Sequence, residues 1–378
     1  MYKRPVEILA SRAPRARRPG PRLLASAEAL GVTRIARVTG LDRSGVEVAC
    51  AVRPLGHVLQ VANGKGTSFR EAARGAVLEA AELSAAEAPE RAFLRFGSSR
   101  ELVAQGARVV PPEALGAEGP LAGARMAWVE GREILSGRST WVPASAVFCP
   151  PGGGAFLGPA VAPWTSNGMG AYWSRGPALR HALLEAAERD RLARALPRGF
   201  TARSVAAHLL DRGAVGLAAP RALALADRIA ARGFEVFLLD LSAPGDVPLA
   251  AALLADRAGG PVPLSAGYAA ALDLERALRA AILEAAQSRL TDIHGAREDV
   301  AHADPGAMDA LVRLCQRARP RRRLAFPARL PSGAGPASIR ALARRVGRAV
   351  VAVDLPSPAA GVHVVKVVAA GLERSGLL

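Results

Sequence analysis

One short phrase occurs three times in this chain and constrains its fold more than any other feature. It reads Leu78-Glu79-Ala80-Ala81-Glu82, then Leu184-Glu185-Ala186-Ala187-Glu188, then Leu283-Glu284-Ala285-Ala286-Gln287. The match runs backwards through Arg74-Gly75-Ala76-Val77, Arg180-His181-Ala182-Leu183 and Arg279-Ala280-Ala281-Ile282. Alanine, leucine, glutamate and arginine favour the helix, so each copy is expected to be helical. Residues three apart share a helix face, which pairs Glu79 with Glu82, Glu185 with Glu188 and Glu284 with Gln287. On the middle helix His181, Glu185, Glu188 and Arg189 form one polar stripe roughly 100° wide. The rest of that helix is mostly Leu and Ala. An ordinary surface helix is polar over a wider arc, so a narrow acidic stripe is better explained by an internal cavity.

Three such stripes on one cavity would crowd several carboxylates. Crowded like charges raise one another's pKa, and unpaired burial is costly. A divalent cation removes the conflict, and Mg²⁺ is commonly held by a few carboxylates plus substrate phosphates. Spacing alone leaves two readings open. One is a Mg²⁺-nucleotide site built by three helices. The other is three independent solvated helices in an alanine-rich chain.

The chain has 378 residues, half of them apolar, enough for a large globular core. The formal net charge of +17 raises the question of nucleic acid. Its arginines cluster at Arg12, Arg15, Arg17, Arg18 and Arg22, and again at Arg317, Arg319, Arg321, Arg322 and Arg323. No recognition-helix or RNA-binding signature accompanies them, and Phe and Tyr for base stacking are scarce. A solvated face or flexible tail is the favoured reading, with no nucleic-acid partner; an acidic peptide or protein is the functional alternative. The three cysteines, Cys50, Cys149 and Cys315, are far apart and form no CxxC, which suits buried thiols in a reducing cytoplasm. No secretory signal and no membrane span are expected.

The organisation expected is a basic flexible tail over residues 1–25 and one large domain over 26–378. Strands are expected at Thr33–Val38, Val46–Val52 and His57–Ala62, with Gly64-Lys65-Gly66 as a loop leading into the first glutamate helix. Met126–Val129 and Ser139–Val142 follow as strands. Pro150 to Pro163 reads as a loop, since Pro150-Pro151-Gly152-Gly153-Gly154 cannot be a helix. Glu235–Leu241 reads as a strand with Val247–Ala255 pairing back on it, and Ser265-Ala266-Gly267-Tyr268 as the opening of the third helix. Val350–Val353 and Val362–Val368 are late strands. Helices and strands mix without a strict βαβ rhythm, which implies an α+β fold of layered mixed or antiparallel sheets packed with helices.

These motifs resemble the YcaO domain family over nearly the whole chain, from about Thr33 to Glu373. The resemblance rests on three ordered blocks. The first is Gly64-Lys65-Gly66 with Glu79 and Glu82. The second is Ser166-Asn167-Gly168, His181 and Glu185-Ala186-Ala187-Glu188-Arg189-Asp190. The third is Gly267-Tyr268-Ala269-Ala270, Arg279, Glu284 to Leu290 and Gly295-Ala296-Arg297-Glu298-Asp299. It implies an ATP- and Mg²⁺-dependent enzyme that phosphorylates the oxygen of a peptide backbone amide, with an ATP site lined by the three glutamate helices. It implies Glu79, Glu82, Glu185, Glu188 and Glu284 as Mg²⁺ ligands or ATP-site carboxylates, with Gln287 in the same wall. Lys65, Asn167, Arg289 and Arg297 are the candidates for phosphate and ribose contacts. Phosphoryl transfer needs positioning and charge neutralisation more than a covalent protein group, which suits these residue types.

Gly75 stands where the family pattern has Ser, and Leu83 where it has Arg. That block, with Ile35 to Arg43 upstream, is similar to the branch associated with TfuA proteins and linked to thioamide formation. Ala370 stands where Pro is usual, and no Pro-x-Pro-x-Pro tail follows, which also favours a thioamide. The expected partners are a precursor peptide or protein, a TfuA-like protein and a second copy of the chain. The alternatives are an azoline-forming cyclodehydratase, a non-catalytic peptide-recruiting module, and a basic nucleic-acid binder with steep salt dependence.

Overall fold

Three sheets, each covered by one glutamate-bearing helix, make up the protein. The computed structural model describes residues 7–9, 19–87, 89–260, 262–295, 304–320, 330–347 and 349–373. The first sheet runs β1 (Glu7–Leu9), β2 (Arg34–Arg37), β3 (Glu47–Val52), β4 (Val61–Gly66). β1 is parallel to β2 and the other pairs are antiparallel. Helix α1 (Pro21–Ala29) precedes β2, and α2 (Phe69–Glu87) follows β4 and lies on β3 and β4.

The second sheet takes β5 (Leu94–Gly97), β6 (Met126–Glu133), β7 (Ser139–Pro143) and β8 (Met169–Tyr172). Between β5 and β6 comes α3 (Ser99–Ala104), started by a Ser98/Glu101 capping box. After β8 comes α4 (Arg175–Ala195), then α5 (Ala202–His208), α6 (Arg212–Ala218) and α7 (Pro220–Ala230). The third sheet is β9 (Phe234–Asp240), β10 (Leu249–Asp256) and β11 (Leu264–Ala270), all antiparallel, with β10 central and entirely buried. Helix α8 (Leu274–His294) covers it, followed by α9 (Pro305–Arg317) and α10 (Pro336–Val346). The chain returns to the second sheet with β12 (Val350–Leu355) and β13 (His363–Ala369), giving the order β5-β6-β12-β13-β8 with β7 on β6. The α+β expectation therefore holds.

Each helix buries an alanine-rich face. α2 buries Ala72, Ala73, Ala76, Ala80 and Ala81; α8 buries Ala277, Ala281, Ala285 and Ala286. Small side chains let helix and sheet approach closely, at the cost of apolar area per residue. Valine and leucine in the strands supply the compensating bulk, as at Val351, Val353 and Val365 in the second sheet.

Four expectations are corrected. Gly64-Lys65-Gly66 is the end of β4, not a loop, and that strand starts at Val61, not His57. Ser265 to Tyr268 lies inside β11 instead of opening a helix. In both segments glycine hides the period-2 pattern. The tail expected over 1–25 is not uniform: Glu7–Leu9 pairs with β2, and Pro21 starts α1, which buries Leu23 and Ala27 in the core. Residues 151–157 form 3-10 turns, interrupted by left-handed Gly152, Gly153 and Gly154 at φ 77°, 75° and 64°. Arg12, Arg15, Arg17, Arg18, Arg297, Arg321, Arg322 and Arg323 lie outside the described residues. Among the described residues no helix is long and apolar enough to cross a membrane.

Candidate active site

The three glutamate helices sit on three edge strands, β4, β8 and β11. One glycine in each strand makes the approach possible. A Cβ on Gly64 would strike the Ala72 carbonyl and Ala76 amide of α2. A Cβ on Gly170 would strike Ala178 and Ala182 of α4, and one on Gly267 would strike Ala281 and Ala285 of α8. Each helix also touches the edge strand of the next unit: α2 meets β8, α4 meets β11 and α8 meets β4. The three units thus close into a ring, with the glutamates on its inner side.

An edge strand leaves backbone N–H groups without strand partners. Here the glutamates accept from them. Glu79 accepts from the Asn63 amide at 2.7 Å, on the strand beneath its own helix. Glu82, one turn on, accepts from Ala171 of β8 at 2.7 Å. Glu185 accepts from the backbone of Gly168, just before β8, and Glu188 accepts from Ala270 of β11 at 2.9 Å. Glu284 closes the ring through the Lys65 ammonium of β4 at 2.9 Å. One turn further along α8 lies Gln287, and beyond it Thr291, whose hydroxyl accepts from the Asn63 side chain at 3.0 Å.

The electrostatics follow from this crowding. Burial, then the neighbouring charges of Glu185 and Glu79, push Glu82 well above the usual carboxylate range. Burial raises Glu185 despite Arg189 and Lys366 beside it. Burial and Glu284 push Glu188 up to about 8. Two cations that sequence reasoning left out of the candidate set stand among them. Arg189 reaches Glu188 at 3.5 Å and Glu185 at 3.8 Å, and its buried Nε has no hydrogen-bond partner among the described residues. Lys366 of β13 is 4% exposed, donates to the Thr165 carbonyl at 2.6 Å and lies 5.4 Å from the Trp164 ring centre. The signal for Arg189 was its place in the polar stripe. Lys366 announced itself only as a charge interrupting an apolar strand.

Arg289 is a correction. It is 3% exposed and bonded to Asp42 at 2.9 Å, to Asp256 at 2.8 Å and to the Val262 carbonyl. Burial would raise Asp42, but hydrogen bonds from Arg289 and Ser44 hold its carboxyl below the ordinary value. Arg289 ties α8 to the first and third sheets and does not face the cleft. Arg297 lies outside the described residues. Asn167 lines a pocket with Arg189 and Lys366. Asp240, at the end of β9, and Asp246, in the turn that follows, serve the fold: Asp240 accepts from the Ser242 amide and Asp246 pairs with Arg191 at 3.0 Å.

A magnesium-nucleotide fits this donor set. Several carboxylates lie in one cleft, three with raised pKa values, and a divalent cation with its phosphates would relieve their repulsion. Among the described residues no three acidic, imidazole or thiol groups already surround one point. Mg²⁺ takes one or two carboxylates and completes its shell with water and phosphate oxygens, so a ready-made cage is not required.

Residues 63–373 match the family described as YcaO cyclodehydratase, ATP- and Mg²⁺-binding. The chain belongs to the YcaO family. ATP and Mg²⁺ are the cofactors of that family. A Rhizobium leguminosarum bv. trifolii protein named for its place in the tfuA 3′ region is 32% identical to this YcaO chain over 362 residues, 91% of this chain and 84% of that one. The solved YcaO from Methanopyrus kandleri, bound with AMPPCP and Mg²⁺, superposes with a TM-score of 0.66 at 22% identity, over 91% of this chain and 86% of that one. A heterocyclase in complex with substrate and cofactor gives a TM-score of 0.69 at 17% identity, over 98% of this chain and 55% of that one. The last two likenesses carry the fold.

Proposed function

We propose that this YcaO protein is an ATP- and Mg²⁺-dependent enzyme that phosphorylates the oxygen of a peptide backbone amide, and that its product is a thioamide. The observation that carries the reading is the ring of glutamates from three helices, with Lys65, Arg189 and Lys366 set among them. ATP supplies the phosphoryl group that turns a poor leaving oxygen into a good one, and Mg²⁺ neutralises charge as that group moves. Glu79, Glu82, Glu185, Glu188 and Glu284 are the residues that would hold the cation, each oriented by the backbone amide or lysine it already engages. Lys65 and Arg189 offset phosphate charge, and Asn167 and Gln287 offer neutral donors. Sulfide then adds to the amide carbon, and phosphate departs with the original oxygen.

The relative in the tfuA 3′ region supports the thioamide product and a TfuA-like partner. The substrate is a ribosomally made precursor peptide or a protein, and the working form is a homodimer. Azoline formation is the second reading, favoured by the likeness to a heterocyclase. Calorimetric titration of ATP with and without Mg²⁺ tests the enzyme class, and binding that ignores Mg²⁺ overturns it. Mass spectrometry of the product peptide separates the chemistries: exchange of oxygen for sulfur marks the thioamide, loss of one water the ring.

A further inference from the structure

Between α7 and α8 runs a groove of about 200 Å³ that the glutamate ring does not use. Arg221, Ala224, Leu225 and Arg228 of α7 line it, at the spacing that puts them on one helix face. Arg279 of α8 and Thr67, just past the end of β4, complete the lining. Arg279 comes five residues before Glu284, about 140° around α8, so the two residues leave that helix on different sides.

Three arginines meet here without an anion between them. Among the described residues none of the three guanidiniums forms an ion pair, and the carboxylates nearby are engaged elsewhere. Asp227, next to Arg228 in the chain, pairs with Arg212, and Asp273 pairs with Arg276. Glu275 accepts from the Arg221 backbone amide at 2.8 Å. Glu71 accepts from the Thr67 amide at 2.8 Å and from its hydroxyl at 2.6 Å. Hydrogen bonds from Thr67, and then the charges of Arg74 and Arg279, hold the Glu71 carboxyl below its ordinary value, so its one charge is shared between two arginines. A groove lined by one sign of charge concentrates the field and draws in the opposite ion.

The oxygen count decides which anion suits it. The guanidinium fork matches both carboxylate and phosphate. A carboxylate brings one charge and two oxygens, which leaves part of the arginine set unanswered. A phosphoryl group brings a charge of about −2 and three strong acceptor oxygens, one for each guanidinium. We propose that the α7–α8 groove is a phosphoryl-binding site, held by Arg221, Arg228 and Arg279, for free phosphate or a phosphate monoester. The groove opens to solvent, which leaves the substituent of an ester outside. The assignment is independent of the function proposed for the glutamate ring.

The test is calorimetric titration of the whole protein with inorganic phosphate at low salt, after the glutamate cleft has been saturated with Mg²⁺ and AMPPCP. Phosphate binds saturably with the analogue in place. Arg228→Gln weakens it about tenfold or more, the scale of one charged hydrogen bond. Ala224→Glu sets a carboxylate among the arginines and abolishes binding. Both positions are exposed, so both variants keep the melting temperature of the parent. Tighter binding of phosphoserine than of phosphate identifies an ester as the ligand, and the reverse identifies the free ion; each supports the site. Absence of saturable binding overturns the proposal, as does binding that both variants leave intact. Acetate bound as tightly as phosphate overturns the phosphoryl assignment. Phosphate that binds only without the analogue overturns it as well, because the ion then sat in the glutamate cleft. If phosphate binds with this pattern to a protein that takes up no Mg²⁺-nucleotide, the groove assignment stands and the proposed function falls.

Discussion

At the scale of single residues, the site is held in a state of charge conflict. Glu188 is squeezed by burial and by Glu284, and only partly relieved by Arg189. Stability given up to place charges in a cleft is recovered when the ligand arrives. Glu188→Gln keeps the shape and the acceptor for the Ala270 amide while removing the carboxyl whose ionisation the site opposes. Its ligand-free melting temperature is expected to rise by a few degrees, while Mg²⁺-dependent ATP affinity falls about tenfold or more. Thermal melts with and without Mg²⁺-ATP check both. Lys366→Met acts in the opposite direction. It removes the bond to the Thr165 carbonyl and the ring contact with Trp164, and leaves Glu82 and Glu185 less compensated. A loss of about 1–3 kcal/mol in urea unfolding of the ligand-free protein is expected. Arg189 and Arg289 show how finely residue position matters. Arg189 comes four residues after Glu185 and stays on the same helix face, whereas Arg289 comes five after Glu284. That one extra residue turns it by about 100° and buries it among Asp42 and Asp256.

At the scale of elements, glycine sets where each helix lies on its strand. Gly64 and Gly170 sit under alanines that end three residues before Glu79 and Glu185; Gly267 sits one turn further along α8. That shift brings Glu284 over the crossing instead of beyond it, and it reaches a lysine side chain where the others reach backbone amides. Gly170→Ala forces the α4 backbone away from β8. The expected cost is about 1–3 kcal/mol, with a loss of ATP affinity larger than the loss of stability explains, because Glu185 and Glu188 both move. A melting curve paired with a calorimetric ATP titration separates the two effects. The helices were legible in the sequence because a 3.6-residue apolar period survives an alanine-rich composition. The strands β4, β8 and β11 were not, since Asn63-Gly64-Lys65-Gly66 and Ser265-Ala266-Gly267 look like turns until a helix is laid on them.

At the scale of the whole molecule, the ring holds only while its three units stay docked. The Asp42–Arg289–Asp256 cluster joins the first sheet to α8 and the third sheet, and Arg43 also reaches Asp256. Asp42→Asn strands part of a buried charge, with an expected loss of about 3–5 kcal/mol in urea unfolding and unchanged ATP affinity in the folded protein. The carboxyls of Asp42, Glu87 and Asp190 all lie below their ordinary values despite burial, held there by Arg289, Arg53 and Arg194 respectively. A depressed folded pKa stabilises fully above the unfolded value of about 4 and is lost as pH falls through the folded value. Unfolding free energy is therefore expected to drop steeply below about pH 4, and acid titration monitored by circular dichroism checks it.

By itself the sequence determined the three helices, the five glutamates they carry, the α+β class and the family, because these rest on local periodicity and on motifs readable in chain order. Tertiary structure alone decided which strand edge each glutamate reaches, that Arg189 and Lys366 stand among them, and that Arg289 does not. Those outcomes depend on how helices rotate and slide on glycine-bearing strands, and such contacts join residues as far apart as Lys65 and Glu284, a separation of 219 positions.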